Sequence, residues 1–238
     1  MISEIINPSA LAPQYASANP FPHAVIDSFL DHEIASALAD DLEHADVQSW
    51  STDEHQEQVN KWVMSDLAQL TQTVGWVLSS FNTAPVLRFF EQLTGIAPLI
   101  GDPTFTGGGV HVSATGGRLG IHADFNLHPQ LKLHRRLNAL LFLNRDWEPE
   151  WNGQTELWNT DLTECVQRID PIFNRLVVFN VTDSAFHGVP DFIRCPNDRR
   201  RISLALYYYT FDRPDEEKGP FHWAAWQQPQ SANIQKFD

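Results

Sequence analysis

Apolar positions along the chain follow two different rhythms. Up to about residue 95 they recur every three or four residues, the period of a helix with one buried face. Ile34, Leu38 and Leu42 follow Asp31, which predicts a helix capped by that aspartate. Leu67, Leu70, Val74, Val77 and Leu78 predict a second helix, with Ser65 as its cap. Val86, Phe89, Phe90 and Leu93 lie between Pro85 and Gly95, residues suited to the first turn and the end of a third. Only His23–Ile26, after two prolines, reads as a short strand there. Ser49–Lys61 is polar without a clear period and reads as loop.

After Gly95 the helical rhythm stops. Short β-type runs appear at Val110–Ser113, Arg118–His122, Leu137–Leu143, Thr155–Trp158, Arg175–Val181 and Ile202–Thr210. Glycines and turn pairs such as Asn152-Gly153 and Pro190-Asp191 separate them. Ala139–Leu143 and Leu176–Phe179 are apolar without alternation, which predicts strands buried on both faces, as in a barrel covered by helices. The tail from Asp212 is polar with scattered aromatics. No repeat or linker divides the chain. The reading is one domain: helical support over about 1–98, a β core over about 103–212, and a tail over 213–238.

Charge narrows the partners. The 16 basic and 30 acidic residues among 238 give a net charge of −14, which disfavours a nucleic-acid or anionic-membrane surface. Hydrophobic residues at 42% and charged residues at 19% exclude a disordered chain. Cys165 and Cys195 form no disulfide framework, Met1–Ala10 has no secretory pattern, and no apolar stretch is long enough to span a membrane. A cytoplasmic location is expected. A small-molecule enzyme, a protein-modifying enzyme and an acidic binding module remain.

Three His-x-acid triplets occur: His44-Ala45-Asp46, His55-Gln56-Glu57 and His122-Ala123-Asp124. The first two lie in polar stretches and read as solvated surface. His122 and Asp124 follow a β-type segment, where residues two apart share a side. They can offer an imidazole and a carboxylate to one metal ion. Two His and one carboxylate, with three coordination positions left open, favour Fe(II) that activates O₂. His187 is the leading candidate for the third ligand, with His111, His128 and His134 competing.

Arg199-Arg200-Arg201 precedes the strand Ile202–Thr210. Arg199 and Arg200 read as a solvated pair. Arg201 and Ser203 share a strand face; pointing inward, they would clamp a carboxylate. A buried guanidinium without an anion is costly, so an inward Arg201 implies an acidic ligand.

Taken together, His122-x-Asp124, His187 and Arg201-x-Ser203 resemble the Fe(II)/2-oxoglutarate-dependent dioxygenase superfamily, most closely its prolyl 4-hydroxylase-like branch of bacterial type. Leu137–Trp147, Gly153–Trp158, Pro171–Asn180 and Phe186–Pro190 carry the rest of the likeness, which covers about Phe105–Phe211. The resemblance implies an α+β chain, mainly β: a double-stranded β-helix, or jelly roll, with an N-terminal helical layer on one sheet. It implies His122, Asp124 and His187 as iron ligands, and Arg201 with Ser203 holding the distal carboxylate of 2-oxoglutarate. It implies consumption of O₂ and release of succinate and CO₂, with hydroxylation rather than halogenation because Asp124 fills the carboxylate position. Phe142 stands where the branch often has a tyrosine that helps bind 2-oxoglutarate, so Asn138 or His111 is expected to substitute. Gly153-Gln154 replaces a usual glycine pair.

Phe125, Asn126, His128 and Arg136 are expected to rim the iron and meet the substrate, a small molecule or a peptide or protein side chain. A homodimer through the helical half is compatible with the pattern. The competing readings are a cupin-like metal enzyme, with no need of Arg201, and a non-catalytic interaction protein on an oxygenase scaffold.

Overall fold

A computed structural model describes residues 1–52, 54 and 56–229; His55 of the second triplet and the last nine residues of the tail lie outside it. The elements are α1 (Pro8–Ala16), β1 (His23–Ile26), α2 (His32–Glu43), β2 (Gln58–Met64), α3 (Gln72–Ser80), α4 (Ala84–Thr94) and β3 (Ile100–Gly101). They continue with β4 (Gly109–Ala123), β5 (His134–Phe142), β6 (Thr155–Trp158), β7 (Cys165–Ile169), β8 (Arg175–Asn180), β9 (His187–Val189), β10 (Arg201–Thr210) and β11 (Ala225–Trp226). No helix among the described residues is long and apolar enough to cross a membrane.

The strands pair in the order β1-β8-β5-β10-β4-β9-β6-β7, with β2 and β11 on β4 and β3 on β10. Every pairing between these strands is antiparallel. β4 serves both halves. Its start, Gly109–Ser113, pairs with β10, and its end pairs with β9 through Leu119 and His122. The sheet folds over on this strand, so that Phe142, Val177 and Phe179 of one half meet Leu157 and Ile169 of the other. This is the double-stranded β-helix.

Strand alternation then sorts the side chains. Leu137, Ala139 and Leu141 of β5, Leu176 and Val178 of β8, and Ile202, Leu204 and Leu206 of β10 face outward into the cluster formed by the helices. Burying each of these leucine, isoleucine and valine side chains contributes about 1.5–3 kcal/mol. The intervening residues, among them Asn138, Leu140, Arg201, Ser203 and Tyr207, line the cavity between the sheet halves. Both faces of these strands are therefore buried, which explains their unbroken apolar runs.

Several local expectations need correction. The second helix starts later: Thr71, not Ser65, caps α3, accepting from the Val74 N–H at 3.3 Å, and Leu67–Gln69 is a separate 3-10 turn after Asp66. Asp31 precedes α2 but makes no side-chain cap; its carboxylate pairs with the N-terminal amine at 2.9 Å. The polar segment before residue 64 contains strand β2, whose partly exposed side chains hide its period. α1 and β11 were not signalled by any apolar rhythm. His128, in a polar stretch, is 1% exposed. Arg199 and Arg200 are half-buried and donate to the Arg145 and Ala45 carbonyls, beside the end of α2.

Candidate active site

The end of β4 and the start of β9 are register partners at His122 and His187. Asp124 lies two residues beyond His122, and the ligand atoms of all three converge within 4.8 Å of one another. The Asp124 carboxylate is 3.6 Å from His122 Nε2 and 3.4 Å from His187 Nε2. Each imidazole is fixed from behind. His122 Nδ1 lies 2.9 Å from the Gly120 carbonyl, and His187 Nδ1 lies 2.9 Å from the Ala185 carbonyl. A carbonyl can only accept, so Nδ1 carries the proton and both Nε2 lone pairs face the centre. Gly188 is needed here: a Cβ on it would lie 2.6 Å from the Gly120 carbonyl oxygen, blocking the approach of β9 to β4.

Burial, joined by the neighbouring His187, lowers the pKa of His122 and favours its neutral, metal-binding form. Burial alone would raise the Asp124 carboxyl. Arg135, His187 and His122 outweigh it and hold Asp124 well below the usual carboxylate range. Arg135 was not anticipated, because a charged residue in a polar stretch reads as surface. It is 1% exposed and lies between Tyr207 and Phe125, its guanidinium carbon 3.4 Å and 4.3 Å from their ring centroids. Its Nε and Nη2 donate to Asn138 Oδ1 at 3.0 Å and 2.7 Å. Asn138 Nδ2 in turn donates to Asp124 Oδ2 at 2.5 Å. The structure thus places Asn138 on the metal-site carboxylate, not in the carboxylate clamp expected of it.

The other end of the same cavity, about 200 Å³ in volume, holds Arg201, Ser203, Thr155 and His111. Arg201 is 8% exposed; its Nε donates to the Gly153 carbonyl at 2.7 Å and its Nη2 to Thr155 Oγ1 at 3.0 Å. Gly153 adopts φ +84°, and a Cβ there would lie 3.3 Å from Arg201 Cδ, so the single glycine retained at this turn supports the guanidinium directly. No carboxylate among the described residues pairs with Arg201. Burial lowers its pKa to about 10. His111 lines the cavity with Nε2 3.1 Å from the Gly107 carbonyl, and burial followed by the Lys61 charge lowers its pKa well below the usual value.

Of the four expected rim residues, only Phe125 lines the cavity. Asn126 is turned away: it accepts from the His222 N–H at 3.3 Å and donates to the Pro220 carbonyl at 3.0 Å. His128 Nδ1 accepts from the Gln130 and Leu131 N–H groups, and its Nε2 lies 3.4 Å from Asp102. Arg136 pairs with Glu217 at 3.4 Å. A register shift in the β5–β10 pairing, between Tyr208 and Tyr209, allows Arg135 as well as Asn138 to face inward, which the sequence does not show. Trp226, in the tail, also lines the cavity.

Residues 108–209 match the family described as the 2OG-Fe(II) oxygenase superfamily. That match spans most of the β-helix core, which is similar to the superfamily. A mouse protein, prolyl 3-hydroxylase OGFOD1, is 30% identical over 84 residues, which is 34% of this chain and 15% of the mouse protein's length. Among solved structures, a Pseudomonas putida prolyl-4-hydroxylase is similar with TM-score 0.58 and 18% identity, covering 85% of this chain and 98% of its own. A Trichoplax adhaerens prolyl hydroxylase, in complex with a peptide fragment of the hypoxia inducible factor, gives TM-score 0.57 and 19% identity over 84% of this chain and 88% of its own. HygX from Streptomyces hygroscopicus, with nickel, 2-oxoglutarate and hygromycin B bound, gives TM-score 0.53 and 12% identity over 85% of this chain and 92% of its own. At such identities the likeness is one of fold. The donor set fits Fe(II) and the cavity fits 2-oxoglutarate: two inward lone pairs and a carboxylate at one end, a buried guanidinium without an acid among the described residues at the other.

Proposed function

We propose that this chain is a Fe(II)- and 2-oxoglutarate-dependent dioxygenase that hydroxylates an unactivated C–H bond, with release of succinate and CO₂. The observation that carries the reading is Arg201, a buried cation without an acidic partner among the described residues, in the same cavity as His122, Asp124 and His187. A cupin-like metal enzyme would need the histidines but not that guanidinium.

His122, Asp124 and His187 would hold the metal on one side, leaving its other positions to the co-substrate and O₂. Bound iron supplies the O₂ activation that couples 2-oxoglutarate decarboxylation to C–H oxidation. Arg201 and Ser203 would anchor the distal carboxylate, with Thr155 and Gly153 fixing the guanidinium in place. Asn138 and Arg135 orient Asp124. Phe125, Leu140, Val189 and Trp226 line the cavity and exclude water around the reacting centre. Asp124 occupies the carboxylate ligand position, so hydroxylation is the outcome.

The substrate is a small molecule or a side chain of a peptide or protein. Both classes have a counterpart among the similar structures, one with a peptide and one with hygromycin B. Succinate release tests the proposal. With Fe(II), 2-oxoglutarate and O₂, the protein should form succinate slowly without added substrate, and His187→Ala and Asp124→Ala should abolish it. An unchanged rate in those variants would refute the ligand assignment. Acceleration by one member of a panel of small metabolites and peptides then identifies the substrate class.

A further inference from the structure

The two candidate ligand imidazoles form the middle of a row of four rings. Phe179 contacts His187 with centroids 4.6 Å apart, His187 contacts His122 at 4.5 Å, and His122 contacts Trp226 at 4.9 Å. The inner end of the row is ordinary core, since Phe179 is fully buried between the sheet halves. The outer end is not. Trp226 is half-buried and belongs to a two-residue strand in the tail, beyond the segment that matches the oxygenase superfamily.

The placement of Trp226 is over-determined. β11 pairs Trp226 with His122 and Ala225 with Ala123. The Gln227 N–H donates to the Ile121 carbonyl at 2.8 Å, and the Gln228 side chain donates to Glu57 at 3.0 Å. Upstream, Asn126 fastens Pro220 and His222, and His222 Nε2 lies 3.0 Å from Asp183. Each imidazole has one backbone hydrogen bond, which sets its tautomer and one edge. The tilt of a ring held at one edge depends on what lies against its faces. His122 has His187 against the ring on one contact and the indole on the other.

We infer that Trp226 is a positioning residue of the metal centre: the tail carries the indole that holds the His122 imidazole, so metal affinity depends on it. This rests on the reading of His122, Asp124 and His187 as metal ligands. Partners that orient ligating histidines typically contribute about 10–100-fold in metal affinity. An aromatic contact is also retained by phenylalanine, so Trp226→Phe and Trp226→Ala should separate.

The test uses the full chain, anaerobic Co(II) as probe and 2-oxoglutarate present throughout. Titration should give Trp226→Ala at least about tenfold weaker Co(II) binding than wild type, with Trp226→Phe within about threefold. Bound Co(II) should quench tryptophan emission in the wild type, and Trp226→Phe should lose a large part of that quench while still binding metal. Melting of the metal-free proteins shows whether each variant is folded; if Trp226→Ala is not, the quench in Trp226→Phe decides. Equal Co(II) affinity in a folded Trp226→Ala, or an undiminished quench in Trp226→Phe, overturns the inference. His187→Ala separates the two levels: it should lose Co(II) whatever Trp226 does. A wild type that binds no Co(II) overturns the metal reading itself, and the inference with it.

Discussion

The Arg201 guanidinium lies 4.8 Å over the ring of Phe142, so one face of the buried charge meets an apolar ring and no acid among the described residues. Both residues are shielded from solvent. Such a cation destabilises the ligand-free fold and stabilises the liganded one. Replacing it by an apolar side chain of similar length should therefore have opposite effects on the two. Arg201→Met is expected to melt no lower than wild type without ligand, since an unpaired buried charge is often neutral or unfavourable to stability. It should lose 2-oxoglutarate binding, at a cost of about 3 kcal/mol or more. Melting curves with and without 2-oxoglutarate check both parts; Arg200→Ala should keep the ligand-induced rise.

Gly153 supports that guanidinium through its carbonyl and cannot easily be replaced. At φ +84°, with Trp147 and Arg201 3.1 Å and 3.3 Å from the position of a Cβ, an alanine is strained in backbone and in space. Gly153→Ala should cost about 1–3 kcal/mol of stability and weaken 2-oxoglutarate binding more than metal binding. Comparable losses of both ligands, measured by titration, would argue against its support of Arg201.

Asn138 joins Arg135 to Asp124, accepting from the one and donating to the other. Asn138→Leu removes both roles and leaves two buried charged groups short of a partner. Metal affinity should fall by about 10–100-fold. Calorimetric titration with Co(II) provides the number, and an affinity unchanged from wild type would show that Asp124 needs no such orientation.

The tail should loosen as pH rises. Burial opposes the protonated form of His222, but the Asp183 carboxylate outweighs it and raises the pKa above the usual histidine value. A raised folded pKa means that the stabilisation is fully present below the unfolded value of about 6.5. It is lost as pH rises through the folded value. Amide exchange over residues 220–227, corrected for its intrinsic pH dependence, should therefore speed up across that window. Asp183→Asn should remove the pH dependence.

The β core was legible because its strands are buried on both faces, and the helices because Val86, Phe89, Phe90 and Leu93 show one apolar stripe. Strand alternation pairs His122 with Asp124 and Arg201 with Ser203; His187, far off in sequence, was singled out by the family resemblance. Three kinds of feature did not show. β2 is partly exposed, so its side chains obey no clear alternation. Arg135 is drawn inward by a register irregularity and buried by cation–π contacts with residues distant in sequence. Trp226 is brought to His122 by long-range pairing, and one aromatic in a polar tail carries no such signal. Asn126 and His128 follow Asp124 closely in sequence, but their polar groups serve the backbone around them.

β4 sets the phase of the whole centre. One strand of 15 residues, irregular in its register with β2 and β9, delivers His111 and Ser113 to the co-substrate end and His122 to the metal end. Ser113 and His122 are an odd number of residues apart, so plain alternation would turn them to opposite faces; the irregular stretch between them lets both meet the cavity. The two binding functions are thus joined by one covalent rod whose phase is set by its own irregularity, and a change in this strand that keeps both must preserve that one-residue offset.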